Sequence, residues 1–403
     1  MKYKILLSSY SCEPNKGSES EVGWSWAINL VKKGHTVYVI TRSNQRKSIE
    51  NYIKNKKIKN LHFIYFDLSK ILLSILKPKF SKNSYLYYLL WQLGIFFKAH
   101  SYVKKIKFDF IHHVTYVSYR FPSFLIFYDI PFIFGPLSGG DTVPLKLRKK
   151  FGFFGNVKEF IRDLSNLYIK FSPLMNLAFY KSKKIYVNSN ETKNYIPKIF
   201  HKKISNLLAI GMEVNNNIRP KRIKKNQTLK LCFAGNLINI KGIRILMNTF
   251  LKLSKEISCQ LNIYGDGKLK QYIYNFSKKH NINKLIYLHK KVNRKFFLKS
   301  LIKNHVLLMP ALRDSGSYVT LEAMSKGIPC AVLDIGGPNI LVTNNSGIKV
   351  ISNQKNQELI VKNLTKSLIK LYLNPIAYNK MSSKSILRAR KFTWKEKIRR
   401  VYS

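Results

Sequence analysis

Two doubly wound, Rossmann-like α/β domains facing a central cleft are the fold class the sequence predicts. Three observations carry this. A strand, glycine loop, helix, glycine, strand unit opens the chain. Short apolar runs of strand length recur through the first half. The same alternation then restarts after a polar, basic gap at residues 215–228.

Residues 4–8 read as a buried strand followed by a polar loop. Val22, Trp26, Leu30 and Val31 then recur at helical spacing until Gly34, and 36–41 is the next strand. Further strands are expected at 61–66, 110–113, 131–134 and 184–187. The gap at 215–228 contains Pro220, lacks an apolar period and is the expected linker. Strands at 229–234, 259–264, 285–288, 306–309 and 330–333 follow, with helices at 241–257, 268–279 and 318–326. The expected domains are therefore 1–214 and 229–389, a division that suits 403 residues. In such sheets ligands bind at the carboxyl ends of the strands.

The apolar fraction of 45% excludes a disordered chain. Lys and Arg number 72 against 19 Asp and Glu, giving a net charge of +53. Lys, Asn and Ile are abundant throughout, so a compositional bias is one reading of this charge. The other is an anionic partner, expected to be a membrane surface rather than nucleic acid. Cys12, Cys232, Cys259 and Cys330 form no C-x-x-C pair and read as buried small hydrophobes in a reducing, cytoplasmic setting. No signal peptide is evident. The longest uncharged apolar run, 85–97, is short of the ~20 residues of a membrane span. With Lys98, Lys104, Lys105 and Lys107 after it, it is expected to lie on the inner face of the plasma membrane.

Acidic residues are scarce, so their placement informs. Asp314 falls on the loop after a strand and Glu322 about one turn into the next helix. Between them Gly316 would let backbone N–H groups approach a sugar or phosphate at the helix start. Gly17 precedes another helix start, with Glu19 and Glu21 in its first turn. His112 and His113 end a strand. Adjacent strand residues point to opposite faces, so only one is expected to reach a ligand, with His113 favoured. No metal-ligand spacing is present.

The stretch 309–338, with Asp314 and Glu322 separated by seven residues and Leu333-Asp334-Ile335-Gly336-Gly337-Pro338 beyond, resembles the retaining family-four glycosyltransferases of GT-B architecture. Its flanks resemble a branch found in surface-polysaccharide assembly. The resemblance implies that Glu322 holds the ribose hydroxyls of a nucleotide sugar and that Asp314 contacts the donor sugar. Most members have Glu at the first position. Ser317 and Thr320 join Gly316 on the donor side. Gly235, Asn236, Lys241 and Gly242 resemble the family's strand–loop–helix element, in which an Arg and a Lys neutralise the leaving diphosphate. Lys241 matches, and Asn236 stands where Arg is usual, which weakens the expected clamp.

Gly265 and Gly267 resemble a strand end near the nucleotide, and Gly17 with Ser18 the N-terminal loop that meets the donor phosphates. His113 with Arg120, and Gly139, Gly140 and Asp141, resemble the same branch's strand end and acceptor-side loop. Residues 392–398 resemble the closing helix, expected at about 390–403, that returns to the N-terminal domain.

The activity so implied is metal-independent, retaining, hexosyltransferase-type transfer from a nucleoside-diphosphate sugar to a glycan or lipid-linked glycan. No resident cofactor is expected. Two alternatives stay open: a nucleotide-sugar epimerase of the same fold, and a weakly active protein that binds anionic membranes or polymers.

Overall fold

The computed structural model describes residues 1–69, 71, 85–215, 217–290, 292–352 and 356–402, and only the backbone of Ser18. The chain divides into two compact units. The first comprises 1–140, 164–211 and 394–403, and the second 141–163 and 212–393.

In the first unit, β1 (Lys4–Ser9), β2 (Thr36–Thr41), β3 (Leu61–Tyr65), β4 (Phe110–Thr115), β5 (Phe132–Leu137), β6 (Ser182–Val187) and β7 (Ile204–Asn206) form one sheet. All the pairings are parallel, in the order β3-β2-β1-β4-β5-β6-β7. Its helices are α1 (Ser18–Lys32), α2 (Arg46–Lys56), α3 (Tyr85–Lys105), part of α4 (Gly152–Ile169), α5 (Pro173–Lys181) and α6 (Asn190–Tyr195).

β7 was not expected. At three residues with only Ile204 buried, it has no period to read. α3 corrects a second expectation. Tyr87, Tyr88, Trp91, Ile95 and Ala99 recur at helical spacing, and all are buried in the core of the unit. One face of the segment 85–97 is therefore core, while Tyr85, Leu93 and Phe97 stay exposed on the other.

The second unit repeats the architecture. Its elements are β8 (Leu229–Ala234), α7 (Ile243–Glu256), β9 (Cys259–Tyr264), α8 (Lys270–Lys279), β10 (Ile286–His289), α9 (Arg294–Leu301), β11 (Val306–Met309), α10 (Tyr318–Ser325), β12 (Cys330–Leu333), α11 (Gly336–Leu341), β13 (Gly347–Val350), α12 (Gln357–Tyr372) and α13 (Pro375–Arg390). The parallel sheet runs β10-β9-β8-β11-β12-β13.

Residues expected as a linker also lie along this unit. Lys221 N–H donates to Ser382 Oγ at 2.6 Å, and Ile223 is buried. Residues 141–163, expected in the N-terminal domain, cluster here as well. The last helix, α14 (Trp394–Tyr402), belongs to the first unit. There the Trp394 ring meets Trp26 edge-on at 5.6 Å, and Tyr402 OH lies 2.6 Å from His112 Nδ1. Lys397 Nζ donates to the Leu208 and Ile210 carbonyls.

Strand order reverses between β1 and β4 in the first unit and between β8 and β11 in the second. At each reversal the two flanking loops leave in opposite directions, which opens a crevice at the strand ends. The loops after β1, β4, β8 and β11 are the ones that carry most of the residues singled out from the sequence.

Candidate active site

In the second unit, the loop after β8 and the loop after β11 approach each other because glycine makes room. Gly242, in a left-handed conformation (φ +71°), begins α7 where any Cβ would overlap the Pro310 carbonyl. The Leu312 and Arg313 N–H groups donate to the Ile240 carbonyl at 2.9 and 3.2 Å. This stitching brings Lys241 Nζ to 2.9 Å from Asp314 Oδ2, an ion pair across the strand-order reversal with both side chains largely shielded. Gly265 meets the backbone of Gly235 too closely for a Cβ, so the β8 and β9 ends are also pressed together. Asn236 is exposed at the start of the same loop.

Glu322 sits on the fifth residue of α10, with its side chain 5% exposed. Arg294, at the start of α9, donates from Nε to Glu322 Oε1 at 2.8 Å. Burial pushes the Glu322 carboxyl above its ordinary range, and Arg294 pulls it partly back. Ser317 precedes the helix in a left-handed conformation (φ +55°), and its Oγ lies 2.7 Å from Thr320 Oγ1. The unusual backbone at this turn thus falls on Ser317 rather than on Gly316.

Behind the loop, Gly337 N–H donates to the Asp314 carbonyl at 2.8 Å. Asp141 is fully buried in this same unit and accepts from Ser315 Oγ at 2.5 Å. Expected on the acceptor side, Asp141 instead braces the loop that carries Asp314.

Residues 214–387 match the family model of glycosyl transferases group 1. The match lies within the second unit. An uncharacterized glycosyltransferase of Methanocaldococcus jannaschii is 26% identical over 111 residues, a match spanning 27% of this chain and 27% of that relative.

Several solved structures are similar over nearly the whole chain. They include the lipopolysaccharide outer core galactosyltransferase WaaB in its apo form (TM-score 0.64, 13% identity, 99% and 98% of the two chains). Sucrose-phosphate synthase from Thermosynechococcus elongatus is similar at TM-score 0.64 and 12% identity over 99% and 97%. Anabaena HepE in complex with UDP is similar at TM-score 0.60 and 12% identity over 100% and 98%. The chain thus shares the GT-B fold.

In the first unit of this GT-B chain, Gly17 (φ +75°) caps α1, with open space where a Cβ would be. The Ser18 side chain lies outside the described residues. Glu19 accepts the Val117 N–H at 2.8 Å, linking the loops after β1 and β4. Desolvation pushes its carboxyl up to about 7, with the Val117 hydrogen bond opposing.

His113 is 1% exposed. Its Nδ1 lies 3.1 Å from Ser8 Oγ, and its Nε2 faces Tyr88 OH and the Tyr116 carbonyl. His112 is bound by Tyr402 OH and the Gly135 carbonyl. Burial lowers the two imidazoles to about 3 and 4 for His112 and His113, so both are neutral at ordinary pH.

Arg120 is engaged internally with Ser165 Oγ, the Gly139 carbonyl and Asn166 Oδ1. Gly140 N–H donates to Thr192 Oγ1 at 3.2 Å. Residues Asp314, Glu322, Lys241, Gly316, Ser317, Thr320, Asn236 and Gly265 therefore gather around one strand-order reversal, whereas His113, Arg120, Gly139 and Gly140 serve the interior of the other unit. Among the described residues, no group of three or more His, Cys, Asp or Glu is placed to hold a metal ion. Arg294 escaped sequence reasoning, because its partner Glu322 is 28 residues away and no spacing connects them.

Proposed function

We propose that this protein is a retaining glycosyltransferase that moves a sugar from a nucleoside diphosphate to a hydroxyl of a glycan or lipid-linked glycan in surface-polysaccharide biosynthesis. The observation that carries the reading is the Lys241–Asp314 pair at the β8/β11 reversal, with buried Glu322 on the helix that follows. It supplies a cation for a diphosphate and two carboxylates for sugar and ribose hydroxyls.

On donor binding, Lys241 exchanges the Asp314 carboxylate for the diphosphate and stabilises the charge that develops as the sugar–phosphate bond breaks. Asn236 adds a hydrogen bond without charge. The acceptor oxygen forms the new bond to the anomeric carbon on the face the phosphate leaves. Its proton passes to the departing phosphate oxygen, so no protein base is required. Glu322 accepts from the ribose hydroxyls, with Arg294 bound to its carboxylate from the other side.

The burial of His112 and His113, whose rings are hydrogen-bonded inside the fold, favours transfer over epimerisation, which needs an acid–base group in contact with the sugar. UDP, the nucleotide bound in the HepE structure, is the first to try.

Donor affinity tests the assignment. Glu322→Gln should weaken nucleotide-sugar binding by about tenfold or more, since a hydrogen bond to a charged group contributes ~1.5–3 kcal/mol. Unchanged affinity in a folded variant would remove Glu322 from the site.

A further inference from the structure

Helix α4 is amphipathic in the wrong sense for a soluble fold. Its inward positions from Glu159 to Asn166 are polar, and only the terminal Ile169 joins the core. Glu159 pairs with Arg313, Arg162 Nε donates to the Asp141 carbonyl, Asp163 pairs with Arg148, and Asn166 accepts from Tyr119 OH. Its outward positions are apolar: Phe153, Phe154, Phe160, Ile161, Leu164 and Leu167 are 51–87% exposed. At 100° per residue these side chains fall within about 140° of one another, a single stripe along the helix. Phe171, just beyond the end, is 74% exposed and continues it. An exposed apolar face of this extent marks a surface meant to be covered.

The charges around the stripe identify the cover. Lys146, Lys149 and Lys150 are exposed immediately before α4, and Lys158 is exposed on it. The only carboxylates of the helix, Glu159 and Asp163, are taken up by arginines. A second copy would set these same lysines, and a chain of net charge +53, against themselves. An apolar stripe with a cationic border and no free anion complements an anionic lipid surface. There the side chains enter the boundary between headgroups and acyl chains, and the lysines meet the phosphates.

We infer that α4, with the lysines before it, is a membrane-docking helix that lies flat on anionic phospholipid. This goes beyond the transferase reading and survives its failure, because vesicle binding is read without any substrate.

The test uses the full-length protein with vesicles of phosphatidylcholine alone or mixed with phosphatidylglycerol. Wild type should sediment with the mixed vesicles and little with the neutral ones. Phe154→Ser combined with Phe160→Ser should lower the partition coefficient by at least about tenfold at physiological salt while leaving the circular dichroism unchanged. In a second variant, Phe154→Trp, emission should shift to the blue on binding and be quenched by brominated lipid. The inference is overturned if the double variant binds as wild type does, if Trp emission ignores brominated lipid while the protein sediments, or if wild type leaves anionic vesicles unbound. It is equally overturned if wild type forms a lipid-free dimer that the double variant dissociates.

Discussion

Glu19 offers a prediction whose size follows from its surroundings. In the unfolded chain its carboxyl has an ordinary pKa of 4.5, and in the folded protein desolvation raises it to about 7. Below 4.5 the proton is bound in both states, so folding is not penalised. Between the two values the folded state keeps a proton that the unfolded state has lost. The contribution of Glu19 to stability therefore falls as pH rises through this window and stays low above it. The difference between the two pKa values corresponds to about 3 kcal/mol.

Glu19→Gln keeps an oxygen for the Val117 N–H but never ionises. It should be more stable than wild type by up to about 3 kcal/mol at pH 8, with the advantage shrinking toward zero near pH 4.5. The assay is denaturant unfolding followed by tryptophan fluorescence at several pH values. Trp24, Trp26, Trp91 and Trp394 are the four tryptophans, and all lie in the unit that holds Glu19. A difference that stays constant from pH 5 to 8, or a variant less stable at pH 8, would refute the reasoning.

Two further outcomes follow from the second unit. Asn236→Arg adds positive charge where the proposed leaving diphosphate sits and should raise turnover; equal or lower turnover in a folded variant would mean that the pocket is shaped around Asn. Gly242→Ala forces a Cβ onto the Pro310 carbonyl at a residue with φ +71°, and should destabilise the protein by more than ~1 kcal/mol. Thermal unfolding with a midpoint equal to wild type would show that the two loops can separate freely.

The repeating strands and the loops at their ends were legible because buried parallel strands are short apolar runs, and glycines mark where backbones approach. Lys241 was legible in the glycine loop after β8, and Asp314 and Glu322 in the loop and helix after β11. What was not legible depends on tertiary direction. The apolar period of 85–97 is equally consistent with a core helix and a surface one, and only the packing of Tyr87, Tyr88 and Trp91 decides it. The stripe of α4 has the same ambiguity reversed, since its period alone reads as a buried face. Asp141 and Glu159 follow β5 in sequence, yet they anchor Ser315 and Arg313 more than 150 residues away. No local signal encodes such pairings, nor the joining of Arg294 to Glu322.

The central claim is that the Lys241–Asp314–Glu322 constellation transfers a sugar from a nucleotide. The direct measurement is nucleoside-diphosphate release by purified wild type and Asp314→Asn across a panel of nucleotide sugars, with the anomeric configuration of any product read by proton NMR. The account predicts release from at least one donor, a product that keeps the donor's configuration, and a rate at least about a hundredfold lower in Asp314→Asn. Release at the wild-type rate by Asp314→Asn, an inverted product, or no release from any donor would contradict it.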